Sequence, residues 1–206
     1  MLADVLSSLG SLDARLFLLI NRSQQNPVFD LVMPILSTKR YFLLPAAAAV
    51  LMVLVWGGRR MWLVLAVGVG ALVLADLGST LMRGGLHRTR PCHVIPGVHL
   101  LVGCSGSFSL PSSHASNMFA IATVGWLAFR RWRWGLLALA VGVAYSRVYV
   151  GVHYPGDVLA GALWGTALGW ICIFSVARSR PEWFTAEPPA GVARAGLNPA
   201  GGAHTR

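Results

Sequence analysis

The sequence predicts an all-α, polytopic membrane helix bundle, and two observations support that prediction. Hydrophobic residues make up 55% of the 206 residues and charged residues only 12%, which is about half the charged share of an ordinary soluble domain. The apolar residues are also gathered into blocks whose lengths are close to the about 20 residues that a helix needs to cross about 30 Å of hydrocarbon. The composition therefore excludes both an ordinary soluble domain and intrinsic disorder.

The N-terminal segment predicts helices that lie on the membrane. Apolar residues recur in steps of three and four over residues 2–20, with Asp, Ser and Arg on the other faces, and this pattern is typical of an interfacial amphipathic helix. A second apolar piece, residues 28–36, is too short to span and is interrupted by an Asp and a Pro, so we interpret it as shallow or re-entrant. Residues 1–36 are therefore expected to form interfacial helices.

Five predominantly apolar segments follow, separated by turns that are rich in Arg or in Gly and Pro. They predict five membrane spans, or six if the N-terminal pieces insert. The predicted spans are Tyr41–Trp56, Met61–Met82, Ser113–Phe129, Trp134–Val150 and Pro155–Val176. Residues 1–179 are thus expected to be one membrane-embedded domain, and residues 180–206, rich in Pro, Ala and Gly, a disordered tail.

The net charge of +10 is interpreted as a topology signal of a membrane protein rather than as a sign of nucleic-acid binding. Seven Arg residues that belong to no predicted site lie in short loops and indicate the cytoplasmic side: Arg59, Arg60, Arg130, Arg131, Arg133, Arg178 and Arg180. Lys39, Arg40, the loop 83–112 and the turn 151–154 are then expected on the outer, periplasmic face of the cell (inner) membrane. The C-terminus is expected in the cytoplasm.

Three polar islands interrupt the apolar sequence on this outer side. They are Arg83 to Pro91, the run Pro111-Ser112-Ser113-His114, and Ser146-Arg147 followed by His153 and Asp157. An Asp four residues after a His on a helix reaches one imidazole nitrogen and leaves the other free. Several Arg residues nearby repel a divalent metal ion but suit a phosphate, which also binds at helix N-termini. The sequence therefore predicts a phosphate site and no metal.

These motifs, in this order and at this spacing, resemble the type-2 phosphatidic acid phosphatase superfamily. The family pattern of a basic residue, six residues and Arg-Pro is matched by Arg83, Arg90 and Pro91, Pro-Ser-Gly-His by residues 111–114, and Ser-Arg-x5-His-x3-Asp by residues 146–157. Arg83 stands where the family usually has Lys, and Ser113 where it usually has Gly. The resemblance covers residues 83–157 in detail.

The resemblance implies a phosphatase that needs no metal or other cofactor and works through a phosphohistidine intermediate. His153 is the implied nucleophile, Asp157 orients it, and His114 protonates the leaving group and then activates water. The implied phosphate-binding residues are Arg83, Arg90, Arg147, Ser112 and Ser113. The implied partners are membrane lipids, with a phosphorylated lipid of the bacterial envelope entering sideways from the bilayer: undecaprenyl diphosphate first, then phosphatidylglycerol phosphate, phosphatidic acid or lipid A.

Several residues leave alternatives open. Cys92 and Cys104 lie in the outer loop and form either a disulfide or two free thiols. Asp76, seven residues before Arg83, is predicted to pair with a basic or hydroxyl group near the site as a second shell, or to hold a structural hydrogen bond. Arg88 is interpreted as a loop or headgroup contact. The glycines at four-residue steps in the last span predict a close helix contact: Gly161, Gly165 and Gly169.

Two other functions compete with hydrolysis. A lipid phosphotransferase passes the phosphoryl group to a lipid hydroxyl instead of water. A non-catalytic phospholipid-binding or transport protein also needs Arg and His along an anion path, but it does not need an Asp-oriented His facing a second His. The sequence does not predict an oligomeric state.

Overall fold

The computed structural model describes residues 2–179, and within them the chain is helical without strands. The predicted all-α class is therefore confirmed. In chain order the helices are α1 (Leu2–Ser23), α2 (Pro27–Ser37), α3 (Arg40–Trp56), α4 (Arg59–Leu86), α5 (Pro91–Val94), α6 (Ser113–Ala128), α7 (Arg133–Tyr149) and α8 (Pro155–Ser179). The tail predicted at 180–206 lies outside the described residues.

The predicted count of five or six spans is not confirmed. Among the described residues, two segments are long and apolar enough to cross a membrane, Arg59–Val94 and Pro155–Ser179, and a third forms if α2 and α3, bent by 55°, count as one. Helices α6 and α7 contain 16 and 17 residues, so they reach only about 24–26 Å at about 1.5 Å per residue. That length falls short of about 30 Å of hydrocarbon.

Among residues 2–179, the closest helix packing joins α6 to α8. The glycine spacing predicts such a close contact on α8 without naming its partner. A Cβ built on Gly161 meets the carbonyl oxygen of Ser112 at 2.4 Å, and one on Gly165 meets that of Ser116 at 2.0 Å. A Cβ on Gly169 meets a backbone oxygen at 2.7 Å. Real side chains do not approach so closely, so only glycine lets the two backbones touch along this seam.

The seam leads directly to the polar end of the bundle. At this polar end the backbone N–H of Ser112 donates to the carbonyl of Asp157 at 3.0 Å, which joins the starts of α6 and α8. At the opposite end, Arg60 donates to the carbonyl of Ala128 at 3.1 Å. Two of the Arg-rich turns therefore share one end of the bundle, and the polar motifs share the other.

Both predicted N-terminal helices form, and they pack around the polar end. Phe17 of α1 is fully buried between α7 and Tyr154. Asn21, also buried, donates to the carbonyls of Tyr149 at 2.7 Å and His99 at 2.9 Å. The side chain of Asn26 caps α2 by accepting from the backbone of Phe29 at 2.9 Å, which is the usual role of Asn at this position.

Candidate active site

The first motif lies on an extended segment that is fixed at both ends. Helix α4 stops at His87, whose φ of 49° is left-handed, and α5 begins at Pro91, whose missing N–H suits the first turn of a helix. Cys92 in α5 and Cys104 are joined by a disulfide, so of the two predicted alternatives the structure has the bonded form. The bridge ties α5 to the loop that leads into the second motif.

Arg90 is buried and held by backbone oxygens. Its Nε donates to the carbonyl of Ser107 at 2.8 Å and its Nη1 to the carbonyl of Val152 at 3.0 Å, while Nη2 donates to the Ser107 hydroxyl at 3.0 Å. Nη1 also lies 2.9 Å from Nε2 of His153. The guanidinium is thus fixed next to the histidine, and one of its N–H groups points at the ring.

His153 and Asp157 form the buried centre of the site, with exposures of 2% and 0%. His153 lies in the turn between α7 and α8, and Asp157 in the first turn of α8. Oδ2 of Asp157 accepts from the backbone N–H of Tyr154 at 2.9 Å and lies 3.4 Å from Nδ1 of His153. Because Arg90 can only donate, Nε2 is the acceptor and Nδ1 carries the proton that faces the carboxylate.

The surroundings keep this imidazole neutral. The pKa of His153 is lowered from 6.5 to about 4, first by burial; Asp157 opposes that shift, and the charges of Arg90 and Arg147 add to it. A neutral imidazole whose Nε2 carries a lone pair and no proton is the form that can act as a nucleophile. The hydrogen-bond geometry and the surrounding charges therefore both favour a neutral ring with its proton on Nδ1.

Two further Arg residues lie near this centre, each fixed by a different helix. Arg147, in the last turn of α7, is 8% exposed, and its Nη1 donates to the carbonyl of Ser37 at 2.8 Å and also to the Ser37 hydroxyl. Arg83, in the last turn of α4, donates to the hydroxyls of Ser113 and Thr80. The guanidinium groups of Arg83 and Arg147 are both close enough to Arg90 to repel it.

The second motif brings its polar groups to the same place. Ser112 precedes α6, and its hydroxyl is buried without a hydrogen-bond partner, as is Nε of Arg147. His114, in the first turn of α6 and half-buried, lies within electrostatic range of His153, Arg90 and Arg147. Unpaired buried donors beside several guanidinium groups fit a tetrahedral anion, which accepts such bonds. A divalent cation does not fit this set.

The two departures from the family pattern contact each other. Arg83, in place of Lys, donates to the hydroxyl of Ser113, which stands in place of Gly. A Lys has no second N–H group in a fixed fork, whereas Arg can bond Ser113 and still present other donors. The two replacements therefore form one unit.

Asp76 has a different partner from the basic or hydroxyl group predicted for its side chain. Its Oδ1 accepts from Nδ2 of Asn117 on α6 at 2.9 Å, which corresponds to the alternative of a structural hydrogen bond. Seven residues on a helix span about 10.5 Å, so Asp76 lies two turns below Arg83 and next to the helix that carries His114.

Three residues that hold side chains of the site in place are not predicted from the sequence. Asp13, Ser37 and Arg88 each bind a side chain of the site, although they belong to segments interpreted as interfacial helices or loop. For Arg88 a signal exists: it lies two residues before Arg90 in an extended segment, where alternate side chains share a face. The contacts of Asp13 and Ser37 span 75 and 110 residues and leave no local pattern.

This fold and this set of residues define a helical membrane bundle whose polar end holds a buried histidine among several guanidinium groups. The chain belongs to the PAP2 superfamily, which matches residues 59–181 and so includes all three motifs. A lipid A 4'-phosphatase from Bacteroides thetaiotaomicron is 30% identical over 179 residues, covering 81% of this chain and 77% of that protein.

Two other comparisons show the range of relatives. An undecaprenyl-diphosphatase from Sulfolobus acidocaldarius is 38% identical over 107 residues, which cover 52% of this chain and 48% of that protein, so the chain spans about half the length of this relative. The crystal structure of Aquifex aeolicus LpxE superposes with a TM-score of 0.61 at 26% identity, covering 79% of this chain and 95% of that chain.

Proposed function

We propose that the protein is a metal-independent lipid phosphatase that forms a phosphohistidine at His153. The single observation that carries the proposal is the state of this imidazole. It is buried, its Nδ1 faces Asp157 at 3.4 Å, and its Nε2 faces Arg90 at 2.9 Å. A phosphate held by the Arg residues has its phosphorus in front of Nε2, with the oxygens on the guanidinium groups.

The first step transfers the phosphoryl group to the protein. The lone pair of Nε2 forms the N–P bond while the bond between phosphorus and the leaving oxygen breaks. His114, in its protonated form, gives a proton to that oxygen. The imidazolium that forms on His153 keeps its Nδ1 proton and is stabilised by the Asp157 carboxylate.

The second step returns the site to its starting state. His114, now neutral, takes a proton from a water molecule, and the water oxygen attacks phosphorus. The P–N bond breaks, its electron pair returns to Nε2 of His153, and inorganic phosphate leaves. Arg83, Arg90 and Arg147, with Ser112 and Ser113, hold the equatorial oxygens in both steps.

The substrate is proposed to be a phosphorylated lipid that enters sideways from the bilayer. Two apolar grooves open beside the site. One, of about 450 Å³, lies between α4 and α8 and reaches Pro111, directly before Ser112. The other, of about 710 Å³, lies between α1 and α8 and has Arg88 at its polar edge. A lipid tail in either groove stays in an apolar surrounding while its headgroup reaches the Arg residues.

Undecaprenyl diphosphate is the first candidate, because an outward-facing site in a compact membrane domain suits recycling of a carrier lipid. The relatives named undecaprenyl-diphosphatase and lipid A 4'-phosphatase support an envelope lipid. We place the protein in the cell membrane with residues 1–179 as one domain, the site on the outer face and the C-terminus in the cytoplasm. The Arg-rich turns at the end opposite the site support this orientation.

The test uses the purified full chain in detergent with EDTA and a panel of four lipids: undecaprenyl diphosphate, phosphatidylglycerol phosphate, phosphatidic acid and lipid A. We expect release of inorganic phosphate in EDTA from at least one lipid, and a ³²P label on the protein that is lost in acid and stable in base. His153→Ala is expected to abolish both signals, whereas His87→Ala, on an exposed loop histidine, keeps them.

Three results would contradict the proposal. Binding of the lipids without release of any phosphate indicates the binding or transport protein. A phosphorylated lipid acceptor in place of free phosphate indicates a phosphotransferase. Full activity in His153→Ala shows that no phosphohistidine at this residue is needed for the reaction.

A further inference from the structure

We infer that Arg88 is a positioning residue for this reaction: it holds the Asp157 carboxylate against His153 and is itself held by Asp13 of helix α1. This inference rests on the proposed function, since it assigns to α1 a part in setting the orientation of the nucleophile. The residue lies outside the three motifs, and sequence reasoning interprets it as a loop or headgroup contact.

Both ends of the Arg88 fork are bound. Nη1 donates to Oδ1 of Asp157 at 2.8 Å, and Nη2 donates to Oδ2 of Asp13 at 2.6 Å. The guanidinium carbon also lies 4.1 Å from the centre of the Tyr154 ring, where the face of the ring attracts a cation. Because the fork is shared between two carboxylates, both Nη groups of Arg88 already serve the Asp157 unit and not a phosphate.

The contact with Arg88 completes the bonding of a fully buried carboxylate. Oδ2 of Asp157 already accepts from the backbone of Tyr154 at 2.9 Å and faces His153, while Oδ1 accepts from Arg88. The two bonds together fix the plane of the carboxylate. Without Arg88, Oδ1 is a buried charged atom that has lost its partner, and the carboxylate can rotate away from the ring to find another.

Asp13 connects the same unit to the N-terminal helix. Its Oδ1 accepts from the backbone N–H of Gly156 at 2.7 Å, in the first turn of α8. A Cβ on Gly156 comes within 2.7 Å of Oδ2 of Asp13, so the glycine allows this close approach. A carboxylate is stabilised at the N-terminus of a helix, and here it lies on the turn that carries Asp157.

A simpler explanation is that Arg88 only attaches α1 to the rest of the protein, and the chain offers a matched control for it. Arg22, also on α1, donates to the carbonyl oxygens of Gly97 and Pro96. It therefore ties α1 to the outer loop but does not contact His153 or Asp157. Loss of Arg22 weakens the attachment of α1, whereas loss of Arg88 weakens that attachment and also frees the Asp157 carboxylate.

The experiment compares Arg88→Met with Arg22→Met in the full chain, on the lipid that the wild type hydrolyses. We expect Arg88→Met to lower kcat about 10–100-fold, the usual effect of losing a group that orients a reacting side chain, and to leave KM within about threefold. The rate of ³²P incorporation into the protein should fall by the same factor. Arg22→Met is expected to keep kcat within about threefold of wild type.

Two milder variants keep the test valid if Arg88→Met does not fold. Arg88→Lys is expected to retain an intermediate kcat, because one ammonium group cannot bridge both carboxylates. Asp13→Asn is expected to lower kcat less than Arg88→Met does. In a double variant with Arg88→Met, Asp13→Asn should add no further loss, because Asp13 acts through Arg88.

The inference is overturned if Arg88→Met matches Arg22→Met, if only KM rises, or if the losses from Asp13→Asn and Arg88→Met multiply independently. A wild-type protein that releases no phosphate from any lipid refutes the proposed function, and the inference with it. An active wild type with unimpaired Arg88 variants refutes the inference alone.

Discussion

Adding one methyl group at Gly165 should destabilise the protein, because the α6–α8 seam has no space for it. A Cβ at this position lies 2.0 Å from the carbonyl oxygen of Ser116 and 2.8 Å from its carbonyl carbon, whereas ordinary contacts begin at 3.4 Å. The neighbour is backbone, so it cannot rotate away, and the helices must separate by more than 1 Å along the seam. Overpacking of this kind costs about 1–3 kcal/mol or more.

Two effects partly oppose each other in this substitution. Alanine favours a helix over glycine by about 1 kcal/mol, so an overpacking cost of about 1–3 kcal/mol leaves a net loss of up to about 2 kcal/mol in the free energy of unfolding. For a protein of this size, each kcal/mol lowers the unfolding midpoint by about 2–4 °C. Separation of the helices also loosens the bond between Ser112 and Asp157, so the activity should fall with the stability.

The assay is thermal unfolding of purified Gly165→Ala in detergent, followed by phosphate release. The matched control is Gly70→Ala in α4, where nothing lies within 4 Å of the added Cβ. Only the propensity gain applies there, so its midpoint should equal or exceed that of the wild type. A midpoint for Gly165→Ala at or above that of Gly70→Ala would refute the packing argument.

Three further predictions follow from the site. Reduction of the Cys92–Cys104 disulfide should raise KM several-fold, because it no longer closes the loop whose Ser107 binds Arg90. A Cys92→Ser/Cys104→Ser variant should show the higher KM with and without reductant. The ¹⁵N signal of His153 should titrate near pH 4, because the pKa of this ring is lowered from 6.5 to about 4. The signal is identified by its loss in His153→Asn. A midpoint near 6.5 would contradict the buried, neutral ring. Because the folded state then binds fewer protons than the unfolded state between these two values, the contribution of His153 to the free energy of unfolding should decrease as pH falls from about 6.5 to 4. Ser113→Gly alone should lower activity about tenfold by removing one partner of Arg83, and Arg83→Lys added to it should recover part of the loss. A double variant no more active than Ser113→Gly would contradict this coupling.

The sequence predicts the helices well where composition and spacing determine them. The predicted segment Met61–Met82 lies within the observed Arg59–Leu86, and the predicted start at Pro155 is the observed start of α8. The number of spans is less well predicted, because apolar composition alone does not measure whether a helix is long enough to cross. A close helix contact along the glycine repeat of α8 is predicted correctly, but the repeat does not identify α6 as the partner.

The site shows a similar division. His153 and Asp157 meet as their four-residue spacing predicts, although His153 lies in the turn before α8 and not on the helix that the spacing argument assumed. The groups that orient the site are not predicted from spacing, because Asp13 and Ser37 reach the site only after the chain has folded back over 75 and 110 residues. A polar residue on an amphipathic helix has an adequate explanation in solvent or headgroups, so its tertiary partner leaves no signal in the sequence.

The bond between Arg90 and His153 has a consequence for the resting protein. In the proposed reaction, the Nε2 electron pair that attacks phosphorus accepts a hydrogen bond in the resting site from Nη1 of Arg90, 2.9 Å away. The ring is therefore masked until that N–H group bonds elsewhere. A phosphoryl group brings the negative charge that does so, whereas a neutral electrophile brings none. In the proposed reaction, Arg90 therefore covers Nε2 in the resting site and exposes it only when a phosphoryl group binds.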